Sequence, residues 1–287
     1  MKIRKAVIPA AGWGTRFLPV TKALPKEMLP LVDKPTIQYV IEEAVSCGLE
    51  QIIMVNSVRK DAIEDYFDPD FELEHYLEQK KEKRLLEEVR HITQMANICY
   101  IRQKEQLGLG HAILTAKELI GNEPFAVFLP DDIFDAETPL MQQMFDVYQR
   151  YQGSVIAVRG VPKEQIRRYG IIGPRQIEER VYQVLDVVEK PEPQEAPSDL
   201  AILGRYILAP EIFEALEVTH PNKGGEIQLS DGLQLLAQKQ AVYGYEFEGQ
   251  YHDAGTPLGL LKATVSLALK HPVMGTEFKE FLREICR

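Results

Sequence analysis

Arg16, Lys22 and Lys26 stand together just after Ala10-Ala11-Gly12-Trp13-Gly14, in a chain whose formal net charge is −10. Small residues let backbone N–H groups approach a ligand closely, and glycine opens unusual dihedrals, so such a turn holds anions without a side-chain charge. Arginine adds a planar fork that matches phosphate oxygens, and lysine adds a mobile point charge. The combination reads as a seat for a polyphosphate; the plainer alternative is a surface loop with exposed cations. Carboxylates recur in three other places: Asp131-Asp132 after "PFAVFLP", Glu189-Lys190 after "VYQVLDVV", and Asp253 in "HDAGT". An aspartate pair ending a buried strand is either a turn or helix cap, or a ligand for Mg²⁺, which takes one or two carboxylates plus substrate phosphates. No Ser-His-Asp or Cys-His set presents itself, and His252 stands without a histidine or cysteine partner.

These side chains need a scaffold that gathers strand ends. "KAVIPAAG" reads as a buried strand and turn, "TIQYVIEEAVSCGLE" as a helix with Ile37, Val40, Ile41, Ala44 and Val45 on one face and Gly48 as its stop, and "QIIMVNS" as a second strand. Strand, helix and strand in this order form a βαβ unit, which favours a parallel sheet. "FELEHYLEQKKEKRLLEEVRHI" predicts one long solvated helix with Leu73, Leu77, Leu85 and Val89 along one face. "ANICYIRQ" and "PFAVFLPDDIF" read as strands, and "GLGHAILTAKELI" as a loop entering a helix. In the second half, "SVIAVRGV", "YGIIG", "VYQVLDVVEKP" and "AILGRYIL" read as shorter strands among helices at "PEIFEAL", "LSDGLQLLAQK" and "LGLLKATVSLALKH". "EKPEPQEAPSD" reads as a surface loop rather than a linker. The expectation is one α/β domain over 1–287, with a mixed, mostly parallel central sheet flanked by helices. In a parallel α/β sheet, ligands collect at the carboxyl ends of the strands.

The totals agree with a globular protein that has a sizeable core. The chain has 287 residues, 45% of them hydrophobic, with no uninterrupted apolar run long enough for a bilayer and no convincing secretion leader. Its acidity argues against nucleic-acid and anionic-membrane partners, but screening over about 8–10 Å lets a local cation cluster still receive a small anion. Cys47, Cys99 and Cys286 are odd in number and widely spaced, which fits neither a disulfide framework nor a metal motif and points to a reducing cytoplasm.

Two common glycine motifs fail. The Walker A pattern is absent, and Phe17 stands where a dinucleotide fingerprint needs its third glycine, which counts against a nicotinamide oxidoreductase. Taken whole, "PAAGWGTRFLPVTKALPKEMLPLVDKP" resembles the opening signature of the sugar-1-phosphate nucleotidyltransferases. The likeness continues through "FELE", "GLGHA", "LPDDI", "VEKP", "GRYIL", "GEIQLSD" and "GTEFK", nearly the whole chain. It implies a Rossmann-like nucleotidyltransferase fold. The "AAG" and "KEMLP" forms point to the branch that uses UTP and glucose 1-phosphate.

That resemblance assigns roles. Ala10, Ala11, Gly12 and Gly14 would bind the nucleotide, with Gln103 and Gly108 on the base. Arg16, Lys26 and Lys190 would neutralise phosphates. Glu189 would accept hydrogen bonds from sugar hydroxyls, with Gly173 and Gly204 allowing backbone approach to the sugar, although each also reads as a turn glycine. Asp131 and Asp253 would hold Mg²⁺, while Thr256-Pro257 departs from the usual residues after the second of these. Asp132, Glu226 and His252 stay unassigned: a cap or structural acid, an acid near a helix start, and a structural imidazole are equally good descriptions. The N-terminal half would then bind nucleotide and the C-terminal half sugar phosphate. The family also commonly forms homodimers or tetramers. Thymidylyl transfer, another sugar 1-phosphate, and an inactive nucleotide-sugar sensor are the neighbouring alternatives, since one methyl separates thymine from uracil and is worth only about 1–3 kcal/mol in a pocket.

Overall fold

The computed structural model describes residues 2–286. Side-chain alternation builds its first layer: in β1 (Lys5–Pro9), Ala6 and Ile8 enter one core and Val7 the other, and all three are fully buried. A loop of short turns leads to the two-residue strands β2 (Pro30–Leu31) and β3 (Lys34–Pro35). Helix α1 (Thr36–Ser46) buries Ile37, Val40, Ile41 and Ala44, as the spacing predicts, and Gly48 follows it with φ of 77°. Strand β4 (Gln51–Asn56) then pairs in parallel with β1, completing the expected βαβ unit.

Between β4 and β5 (Asn97–Arg102) lie α2 (Asp61–Phe67), α3 (Phe71–Lys80) and α4 (Lys83–Gln94). The single long helix expected here is two helices. Lys81 takes a left-handed φ of 59°, and its N–H closes α3 on Leu77 and Glu78 carbonyls. The break falls in "EQKKEKR", where no apolar side chain gives a continued helix anything to bury, so only Leu77 of the expected stripe is buried. Arg90 of α4 bonds Glu74 and Glu78 of α3 and fastens the pair.

The chain continues through α5 (Leu109–Thr115), α6 (Lys117–Ile120), β6 (Phe125–Phe128), β7 (Asp132–Asp135), α7 (Leu140–Tyr151) and β8 (Ser154–Gly160). Then come β9 (Gly170–Glu178), β10 (Val181–Glu189), β11 (Leu200–Leu208), α8 (Ile212–Val218) and α9 (Leu229–Lys239). β12 (Val242–Glu246), β13 (Gln250–Asp253), α10 (Pro257–Ala268) and α11 (Gly275–Ile285) finish it. Nine strands form one sheet in the order β5-β4-β1-β6-β11-β8-β12-β10-β9. The pairs β5–β4, β4–β1, β1–β6 and β12–β8 are parallel, while β11 runs antiparallel to both β6 and β8. The parallel pairings thus concentrate in the N-terminal half, and the sheet passes through both halves without interruption. α1 and α7 pack on one face, and α5, α8 and α9 on the other.

β9 runs well past "YGIIG". Pro174 has no N–H to give, and β10 is irregular opposite it, between Val184 and Asp186. The "EKPEPQEAPSD" segment is the loop between β10 and β11. β13 pairs with β7 in a separate two-stranded ribbon, which carries Asp253 to the end of β6. No helix among the described residues is long and apolar enough to cross a membrane.

Candidate active site

Two cavities open beside the strand ends and meet. One, of about 390 Å³, is lined by Ala11, Gly12, Gly14, Lys26, Gln103 and Gly108 among others. The other, of about 440 Å³, is lined by Arg16, Glu189, Lys190, Gly204 and Asp253 among others. Leu109, Leu129 and Asp131 belong to both walls. The turn after β1, the residue after β5 and the turn after β6 therefore converge as a parallel sheet requires.

In the first cavity Gly14 has φ of 66°, and an added Cβ would lie 3.1 Å from Lys26 Cβ and from Thr21 Cγ2. Glycine is required there twice over, by conformation and by space. Gly12 has nothing within 4 Å of such a Cβ and leaves its backbone open. Ala10 does not reach the cavity: it is fully buried, and its N–H bonds Val55 O at 2.7 Å. It supports the turn rather than lining it. Gln103 is buried, with its Nε2 within bonding distance of Gly108 O (3.2 Å) and His111 Nδ1 (2.8 Å). Gly108 precedes α5 with φ of 93°, and a Cβ there would meet Ile227 O at 2.8 Å. Glu226 also lines this wall, accepts from Gln228 at 2.8 Å, and precedes α9 by too much to cap it.

Asp131 sits where the cavities join. Lys26 Nζ donates to its Oδ2 at 2.6 Å. Burial pushes the Asp131 carboxyl up, but the charge and hydrogen bond of Lys26, with Arg16 nearby, outweigh it and hold the group below the usual carboxylate range. Burial draws the Lys26 ammonium down, and Asp131 and Glu27 outweigh it in turn, so its pKa rises. Asp132 differs: burial and the adjacent Asp131 charge push it up to about 7, against the Tyr251 hydroxyl that donates to it at 2.7 Å and the charge of Arg205. Asp253 accepts from Arg168, and its Oδ1 accepts the N–H of Gly255 at 3.0 Å.

A divalent cation suits this pair of acids. A Cβ added to Gly255 would lie 2.7 Å from Asp131 Oδ2 and 3.1 Å from Asp253 Oδ1, so oxygens of both carboxylates face one point. Among the described residues no group of three or more His, Cys, Asp or Glu forms a cage. Two hard oxygen donors with room for phosphate oxygens match the demands of Mg²⁺ better than those of zinc. Thr256-Pro257 does not disturb the site: Thr256 accepts the Gly259 N–H at 3.1 Å as the N-cap of α10, with Pro257 opening the helix. His252 does not join the acids. It pairs with Ile133 across the ribbon, its Nε2 is buried without a partner, and burial lowers its pKa.

In the second cavity, Lys190 Nζ lies 2.8 Å from Glu189 Oε1, and Lys190 takes φ of 46°. Gly204 is forced: a Cβ there would fall 2.1 Å from Asp132 Oδ2. Gly173 is not brought to either cavity. It stands opposite Asp186 at the β10 irregularity, 2.9 Å from Asp186 Cβ for an added Cβ, and Gly170 takes the place at the wall. Arg16 reaches across to Gly255 O at 3.5 Å. Sequence reasoning missed Arg167, Arg168 and Tyr169, which line the cavity ahead of β9, and Glu27, which lines the other. Two consecutive arginines before a strand in an acidic chain were the available signal. Glu27 carried none, because its buried partner Lys60, 2.6 Å away, lies far along the chain.

A profile described as nucleotidyl transferase matches residues 5–269. The chain is 54% identical over 284 residues to UTP–glucose-1-phosphate uridylyltransferase of Staphylococcus epidermidis, covering 99% of both chains. The corresponding protein of Staphylococcus haemolyticus is also 54% identical, with the same coverage. Among solved structures, a UTP-bound UGPase from Acinetobacter baumannii superposes with a TM-score of 0.92 at 43% identity, covering 99% of each chain. A UDP-glucose pyrophosphorylase complexed with UDP-glucose gives 0.87 at 44% identity, covering 94% of this chain and 100% of that one.

Proposed function

This chain belongs to the nucleotidyl transferase family, and on that premise we propose that it joins UTP and glucose 1-phosphate into UDP-glucose and pyrophosphate. The carrying observation is full-length likeness to uridylyltransferases, in a chain whose two cavities meet at one acid. A phosphate oxygen of the sugar phosphate attacks the α-phosphorus of UTP; the bond from that phosphorus to the oxygen bridging to the β-phosphorus breaks, and the electron pair leaves with pyrophosphate. The nucleophile is already an anion at neutral pH, so no general base is needed. The barrier is repulsion between anions and charge on the leaving group, which positioning and cations lower.

The nucleotide lies in the cavity of Ala11, Gly12 and Gly14. With its N–H groups engaged inside the protein, Gln103 offers a carbonyl oxygen to the N3–H of uracil. Lys26 and Arg16 face the triphosphate. Glu189 accepts from sugar hydroxyls, and Lys190 neutralises the sugar phosphate. Asp131 and Asp253 would hold a divalent ion, which we assign as Mg²⁺ and which would supply Lewis-acid stabilisation of phosphate charge. Three free cysteines suit a reducing cytoplasm. Exposed Leu258, Leu261 and Val265, at i, i+3 and i+7 on α10, give a face on which a second copy can pack, and light scattering would then show a homo-oligomer.

Pyrophosphate release with purified protein, Mg²⁺, UTP or dTTP, and a panel of sugar 1-phosphates tests the reaction. The expected result is release fastest with UTP and glucose 1-phosphate. Binding of UDP-glucose with no release under any pairing would overturn it in favour of a sensor.

A further inference from the structure

Among the described residues Arg205 is the largest fully buried side chain, 1% exposed, and lies on β11 next to Gly204. A guanidinium has five N–H donors, and here each finds an acceptor. Nη1 bonds the carbonyls of Leu129 (3.2 Å) and Gly204 (2.9 Å). Nη2 bonds the carbonyl of Asp132 (3.0 Å) and Glu43 Oε2 (2.7 Å), and Nε bonds the same Glu43 oxygen at 3.0 Å. The group lies over the rings of Phe128 and Phe134, with centroids 4.8 Å and 4.7 Å away. Glu43 belongs to α1, and its other oxygen accepts the Met141 N–H at the start of α7.

The two carbonyls taken from the β6–β7 turn flank Pro130 and Asp131. The same turn is closed by Asp132 N–H to Leu129 O and tied to β11 by Leu129 N–H to Gly204 O. Arg205 touches neither cavity that would hold substrate. We propose that Arg205, held by Glu43, is a positioning residue that fixes the backbone on both sides of Asp131 and so sets the aim of that carboxylate. This rests on the assignment of Asp131 as a holder of the divalent ion. A buried charge pair is a costly way to gain stability alone, since apolar replacements often match it. A planar five-donor group that binds three carbonyls and a carboxylate instead fixes geometry. Lysine cannot reproduce it, because its three donors diverge from one atom.

The test compares wild type, Arg205→Lys, the double variant Glu43→Gln/Arg205→Met, and Asp131→Asn. Free Mn²⁺ is read by paramagnetic resonance in protein with UTP, against a UTP blank, alongside steady-state kinetics and thermal melting. Loss of a group that orients a metal-binding side chain weakens metal affinity on the order of 10-fold to 100-fold. That loss is expected in Arg205→Lys and in the double variant, with lower kcat and a KM for glucose 1-phosphate within about twofold of wild type. The double variant removes both buried charges, so no bare ion is left to unfold it. Unchanged Mn²⁺ binding in either folded Arg205 variant, with only a lower melting temperature, would overturn the positioning role. Should Asp131→Asn also bind Mn²⁺ as wild type does, the metal assignment itself fails, which is a different result.

Discussion

Arg16 and Lys190 carry like charges at the same cavity, yet they face different partners, and their removal should be told apart kinetically. Arg16→Ala is expected to lower kcat by about 10²–10³, the scale of one lost preorganised donor. Lys190→Ala should chiefly raise the KM for glucose 1-phosphate; a selective loss of UTP binding would place it wrongly. Lys60 makes a stability prediction. It pairs with Glu27 where both are buried, and Glu27 Oε1 already has no partner among the described residues. Lys60→Met should therefore cost about 3–5 kcal/mol in denaturant unfolding, because it strands a buried carboxylate. Glu27→Gln/Lys60→Met should recover most of that. That Arg16, Lys26 and Asp131 gather beside the strand ends was legible, the two cations from residue type and local spacing, and Asp131 rather than Asp132 through the family resemblance. Arg205 and Lys60 were not, because their meaning lies in partners from elements distant in sequence.

Elements were legible where the apolar period was clean. The β1–α1–β4 unit and the strand before Asp131 follow from continuous apolar runs and helical spacing. The long charged helix was misjudged because propensity continues through "EQKKEKR" while packing stops there, and packing governs helix length in water. The extent of β9 was hidden by Pro174, which is tolerated because β9 ends the sheet and its partner strand is irregular there, properties of the assembled sheet and not of either sequence alone. The entry to α5 gives a prediction at this scale. Gly108→Ala must adopt a left-handed φ and push on Ile227 O, the carbonyl that also receives the Gly110 N–H at 2.9 Å. It should raise the KM for UTP, while the KM for glucose 1-phosphate stays near wild type. Equal changes in both would show that the loop acts through the whole fold.

Across the whole molecule, the walls of both cavities come from segments 9–27, 103–132, 167–206 and 226–253. The stretch containing α2, α3 and α4 contributes nothing to them, although it joins two neighbouring parallel strands. Its turn at Lys80–Arg84 is exposed at every residue and offers four basic residues interrupted only by Glu82. Trypsin is therefore expected to nick the native chain first at that corner, and mass spectrometry of the earliest fragments checks it. The severed halves should remain one particle on gel filtration and keep releasing pyrophosphate, since β5 stays zipped to β4 beyond the cut. A protease-nicked enzyme with full turnover would mean that this helical excursion is a spacer between strands, and a place where a foreign peptide can be spliced in without harm.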